Sequence, residues 1–171
     1  MTARRFFLLF LLCALVPLVA AKVSLSLGWF SSATVNKGQW MTQEVELIPA
    51  VTQGDLHWTI AYSHNDTCDE ECMAALGVLQ KLHTGLGRKQ LGVQAMFVSN
   101  EPSLSAQHNF PSIKFYRQTG ALNLFHHHFL IINQQGVVLL RYPVSSDSLK
   151  KTAGDLRSDL LRLFNYDRSR L

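Results

Sequence analysis

The sequence predicts an α/β domain, a central mixed sheet with flanking helices, behind an apolar N-terminal segment. Three observations carry this. Residues 56–62 (LHWTIAY) and 91–99 (LGVQAMFVS) are rich in aromatic and β-branched residues and flank a stretch with helical apolar spacing. Two later runs, HFLIIN from His128 and VVLLRY from Val137, enclose Gln134-Gln135-Gly136, a hairpin signal. An amphipathic stretch over 146–164 closes the chain, with Leu149, Leu156, Leu160 and Leu163 on its apolar side.

The N-terminal segment comes first. Arg4 and Arg5 precede sixteen uncharged residues, Phe6 to Ala21. That is a little under the ~20 residues of a spanning helix. Two readings compete. One is a cleaved signal peptide with Val19-Ala20-Ala21 as a small-residue site. The other is a signal anchor continuing through Val23, Leu25, Leu27, Trp29 and Phe30, with Lys22 snorkelling. Both leave the positive flank in the cytoplasm and the rest of the chain outside it. Residues 1–30 are therefore expected to be the anchor or signal peptide, 31–43 a polar linker, and 44–171 the folded domain. Cys13, inside the apolar run, reads as a small hydrophobe.

Within the domain, Glu44 to Ile48 alternates enough for a short strand, and Gln53-Gly54-Asp55 reads as a turn. After the strand at 56–62, Thr67 and Glu70 fit a capping box that opens a helix over about 68–82. Cys72, Leu76, Leu79 and Leu82 share one face of it. The second strand follows, then an ambiguous stretch over 100–125, the hairpin and the last helix. A parallel strand pair joined by a helix, then a hairpin and a covering helix, is a thioredoxin-like arrangement.

Composition narrows the function classes. The 171 residues are 47% hydrophobic, with 16 Lys+Arg against 12 Asp+Glu, 10 Gly, 5 Pro and 3 Cys. Disordered tails, collagen repeats and disulfide-dense miniproteins are excluded. The formal charge of +4 falls near +2 without the two targeting arginines. The remaining basic residues are scattered, so nucleic acid is not an expected partner.

The chemistry lies in two motifs. Cys68-Asp69-Glu70-Glu71-Cys72 is a C-x-x-x-C at the first turn of a helix that follows a buried strand. Spacing of four puts both sulfurs on one helix face, close enough for a disulfide or for one metal ion between two thiolates. The helix N-terminus favours thiolate, whereas Asp69, Glu70 and Glu71 oppose it and attract a cation. A plain stabilising disulfide is the bland alternative. The second motif is His126-His127-His128. Alternation puts His126 and His128 on one side of a strand and His127 on the other. A solvated strand entrance is the bland reading here. His128, immediately before Phe129-Leu130-Ile131-Ile132, is expected in the slot that packs against the cysteine helix. Two thiolates and an imidazole suit copper; zinc usually wants a fourth ligand. His64 is near the dithiol in sequence and reads as an outer-shell group at most. His57, His83 and His108 read as surface or half-buried, and Met73 as core filler; Met96 is a soft donor in principle.

These motifs together resemble the Sco family. Trp58 to Tyr62 (WTIAY), the Cys68/Cys72 pair, His128 to Gly136 (HFLIINQQG), Arg141-Tyr142-Pro143 and the final helix look like its short bacterial group of cytochrome-oxidase-associated transmembrane proteins. The likeness covers nearly the whole chain. It implies a thioredoxin-like domain tethered to the bacterial inner membrane by a single pass and facing the periplasm. It implies copper held by Cys68, Cys72 and His128, and a role in assembling cytochrome c oxidase. Partners would be an oxidase subunit or another copper/thiol protein. The chain departs from the pattern in three places: no proline stands between the cysteines, Asn133-Gln134 replaces the hairpin's Asp-Pro, and His126 is nearer than His128 to the family ligand's distance from the glycine. His126 and His127 therefore stay open as alternatives to His128. A metallochaperone is expected rather than a turnover enzyme. The rival readings are a thiol–disulfide oxidoreductase with Cys68 and Cys72 as its catalytic pair, keeping client cysteines reduced, and a non-catalytic assembly factor.

Overall fold

A computed structural model describes residues 3–26, 36–50, 57–101, 104–118 and 120–168. The turn at 53–55, Leu56, and the anchor's expected continuation through Leu27, Trp29 and Phe30 lie outside them. The chain divides into two compact units, Met1–Val35 and Asn36–Leu171. The first is built on α1 (Ala3–Ser26), an unbroken helix that contains Pro17. Its 18-residue stretch Phe7–Ser24 is long and apolar enough to cross a membrane, a property signal sequences share.

The second unit is a six-stranded mixed sheet with helices. Its elements are β1 (Gln39–Trp40), β2 (Trp58–His64), α2 (Glu70–Thr84), β3 (Val93–Ser99), α3 (Leu104–Asn109), β4 (Lys114–Arg117), β5 (His128–Asn133), β6 (Val138–Pro143) and α4 (Leu149–Arg168). The order across the sheet is β1-β6-β5-β2-β3-β4. β2, β3 and β4 run parallel, and β5, β6 and β1 pair antiparallel from β2 outward. The run at 91–99 forms a strand only from Val93, because Leu91 and Gly92 belong to a 3₁₀ turn and Leu91 is exposed.

Strand alternation divides the core in two. Ile60, Tyr62, Phe97, Phe129 and Ile131 face the apolar sides of α2 and α4. Ala61, Met96, Val98, Leu130 and Ile132 face the other way, onto Leu47, Ile48, Leu122 and Phe125. Leu47 and Ile48 are thus core residues, but the strand expected at 44–48 is reduced to a single bridge, Glu46 to Val137. The ambiguous crossover resolves into α3, β4 and a 3₁₀ turn (Ala121–Phe125).

The stretch read as a linker holds β1. Its cause lies far along the chain: the buried Asp159 carboxylate accepts from the Lys37 N–H (2.7 Å), the Gly38 N–H (2.9 Å) and the Tyr142 hydroxyl (2.8 Å). Gly38 lies so near the Tyr142 ring that a Cβ would come within 2.3 Å of it. Gly136 closes the hairpin at φ +84°, and a Cβ there would meet the Ile48 carbonyl at 1.8 Å. Both sheet edges are short: β1 has two residues, and the four of β4 begin and end on exposed Lys114 and Arg117.

Candidate functional site

The dithiol sits where α2 begins, but the start is not at Thr67. Asp69 is the N-cap: its carboxylate accepts the Cys72 N–H at 2.9 Å, and the helix begins at Glu70. Asp is the stronger cap, and it displaces the T-x-x-E box. That bond holds the Asp69 carboxyl below its ordinary range. Cys68 therefore precedes the helix rather than riding its face. The two cysteines are joined by a disulfide, with Cα atoms 5.2 Å apart. Cys72 is fully buried in the α2–sheet core, whereas Cys68 is half-buried at its margin. Of the pair, Cys68 is the one with solvent exposure.

His128 is not in the slot expected of it. It is the first residue of β5, paired opposite Ser63 and in phase with Leu130 and Ile132. It thus projects to the sheet face opposite α2. Its Nδ1 donates to the His126 carbonyl at 2.6 Å, and burial holds its pKa below the ordinary value. The residue before the strand is His127, and it takes the slot. Its backbone is left-handed, φ 55°, fixed by the Val144 N–H on its carbonyl at 2.8 Å. Its ring lines a cleft of about 210 Å³ with Tyr62, Glu70, Glu71, Ala74 and Leu149, beside the first turn of α2. Nδ1 lies 3.2 Å from the Tyr62 hydroxyl. Burial first, then the Asp69 and Glu71 carboxylates, drive the Tyr62 pKa far upward, so that hydroxyl keeps its proton.

His64 is the residue sequence reasoning undervalued. It ends β2 in phase with Ile60 and Tyr62, and is 2% exposed. Its Nε2 lies 3.3 Å from the carbonyl of Thr67, the residue before Cys68. Its Nδ1 is buried with no hydrogen-bond partner. Burial, then the neighbouring His127, lowers its pKa. His126 stands across from it, ring centroids 5.1 Å apart, and accepts the Asn65 N–H at 3.2 Å. Ligand nitrogens of His64, His126 and His127 all lie within 4.8 Å of one another. The signal was the period-2 phase of β2, which aims His64 at the α2 side just before the cysteine loop.

The other candidates fall elsewhere. The buried His83 is bonded to the Val93 carbonyl at 2.8 Å, and His57 to Gln134 at 3.0 Å. His108 is exposed, Met73 packs into the α2 core and Met96 into the opposite cluster. Cys13 is a free thiol on α1.

Residues 58–165 match the family model described as "Transmembrane-like, thioredoxin-like, C-terminal domain". No curated protein matches by sequence. Among solved structures, apo Sco1 from Thermus thermophilus is similar with 16% identity and a TM-score of 0.53, over 75% of this chain and 97% of that one. Copper-bound yeast Sco1 aligns at 17% identity and TM-score 0.46, covering 63% and 80%. A putative thiol:disulfide interchange protein DsbE from Chlorobium tepidum aligns at 15% and 0.46, covering 72% and 96%. At 16% identity the likeness to the Thermus protein speaks for the fold alone, a thioredoxin-like one.

Proposed function

The chain belongs to the transmembrane-like, thioredoxin-like C-terminal domain family, and from that premise we propose that it is a Sco-like thiol protein of the bacterial cell envelope. In this reading α1 anchors it in the inner membrane and the domain faces the periplasm. Its cargo is copper, carried by Cys68 and Cys72 and passed to a cytochrome c oxidase subunit or another copper/thiol protein during oxidase assembly. One observation carries the proposal: two cysteines within bonding distance at a capped helix start, one of them reachable from solvent.

The donor set imposes an order. A disulfide has no thiolate to offer, so an external dithiol must first reduce it, gaining a disulfide itself as Cys68 and Cys72 gain two electrons and two protons. Two soft thiolates then suit Cu(I). Of the three histidines in the run, His127 lies on the dithiol's side of the sheet and is the candidate third ligand in place of His128. Delivery is ligand exchange, with no net chemistry on the protein.

The test is Cu(I) binding by the reduced full chain in detergent micelles. About one ion per chain is expected, lost in Cys68→Ser and Cys72→Ser. Serine variants that hold Cu(I) as tightly as the parent would end the proposal.

The closed disulfide favours a second reading, a thiol–disulfide oxidoreductase. The reduced Cys68 thiolate would attack a client disulfide, one client sulfur leaving as thiolate. Cys72 would then displace the second client sulfur and close the Cys68–Cys72 bond. In that case Cys72→Ser accumulates a mixed disulfide through Cys68, and the couple's reduction potential lies close to its client's.

A further inference from the structure

We infer that His64, His126 and His127 form a metal site for the oxidised state, one that shares His127 with the proposed copper set but uses neither cysteine, and that binds a borderline divalent cation such as Zn(II) or Cu(II) through three imidazoles. Among the described residues, this is the triplet of potential ligands whose donor atoms converge, all within 4.8 Å. The rings crowd together, with centroids 4.5 Å apart for His64 and His127, 5.1 Å for His64 and His126, and 4.1 Å for His126 and His127.

Three features point to a cation rather than to packing. His64 is 2% exposed, yet its Nδ1 has no partner. A buried imidazole nitrogen left bare is costly, and a metal ion would satisfy it. His127 is held at φ 55°, a region that a residue with a Cβ enters only at a cost; such strain is concentrated where a side chain must be aimed. The Tyr62 oxygen sits 3.2 Å from His127 Nδ1. Accepting from Nδ1–H, it leaves the Nε2 lone pair free, the usual outer-shell arrangement of a metal-binding histidine.

The adjustments required are small. Metal–nitrogen bonds of about 2.0–2.1 Å put three ligand nitrogens some 3.3 Å apart, so the present spacing must contract by roughly 1.5 Å at most. Rotation of the half-buried His126 and His127 provides this. His126 enters the set by releasing the 3.2 Å bond from the Asn65 N–H or by turning its ring over. The Asp66 carboxylate, 3.8 Å from His126 Nε2, adds negative charge at the rim. Three imidazoles suit zinc, copper and nickel, with copper(II) the tightest.

The site exists with the disulfide closed, which separates it from copper carriage by the thiols. The experiment uses the full chain in detergent micelles, disulfide intact, titrated with Zn(II) against a chromogenic chelator and with Cu(II) by EPR. A single ion per chain is expected, with nitrogen-only hyperfine coupling for Cu(II). Loss of a ligand should cost at least as much as loss of an outer-shell partner, about 10–100-fold. His126→Ala and His127→Gly should each weaken binding by that much, and a Cys68→Ser/Cys72→Ser double variant should bind as the parent does. His126→Gln serves where the alanine variant fails to fold. No binding by the parent, or binding that both histidine variants retain, overturns the inference. Binding lost in the double cysteine variant also overturns it, while favouring the sulfur site.

Discussion

His127 holds a left-handed backbone, φ 55°. Glycine tolerates that backbone and alanine does not, so His127→Gly should be more stable than His127→Ala by about 1 kcal/mol in urea unfolding. Equal midpoints would mean the backbone relaxes. The start of the apolar run points to His128 for the slot beside α2. The strand itself starts at His128, so the slot is filled one residue earlier, and a one-residue offset in a strand reverses the face of every side chain. No sequence pattern fixes that offset, because three identical side chains in a row hide the phase. Asp159 gives a second residue-scale prediction. It is fully buried and bonded to two backbone amides and the Tyr142 hydroxyl. Asp159→Ala orphans all three donors and should cost about 2–4 kcal/mol, with the Lys37–Trp40 amides becoming the first to lose hydrogen-exchange protection.

At the scale of elements, α2 shows how separately the helix start and the dithiol are held. The Asp69 cap is a bond between a carboxylate and the Cys72 backbone N–H, with neither sulfur in it. The disulfide closes a loop of only five residues, worth about 2 kcal/mol by chain entropy. Reduction should therefore lower stability by no more than that and leave helicity unchanged. Asp69→Ala should cost about 1 kcal/mol and fray the first turn. A reduced chain with markedly less far-ultraviolet circular dichroism would show that the sulfurs, not the cap, hold α2. Elements that bury a continuous apolar face were legible in the sequence: β2, β3, β5, β6, α2 and α4 each carry an apolar period long enough to read. Those held by distant polar contacts were not. β1 is two residues pinned by a carboxylate 122 positions away, and β4 is a half-exposed edge strand with no clean alternation. Thr67 lost the cap because two plausible capping residues stood two positions apart, and spacing alone does not rank them.

Across the whole molecule, the buried His64 and the half-buried His128 shape the response to acid. His64 and His128 are both held below their ordinary value of 6.5, chiefly by burial. The unfolded chain takes up protons as pH falls through 6.5, while the folded chain resists until lower pH. In that window the unfolded state binds more protons, so stability declines with acidification and is fully present above it. The urea midpoint should be flat from about pH 8 to 7 and fall below about 6.5, with a shallower fall in His64→Gln and His128→Gln. A midpoint unchanged down to pH 5 would contradict the burial of both rings. The sheet's margins have a consequence of another kind. With one margin two residues long and the other bracketed by Lys114 and Arg117, neither gives an extended peptide a template to zip onto. Any protein that recognises this domain has to do so through side chains rather than by lending its own backbone to the sheet.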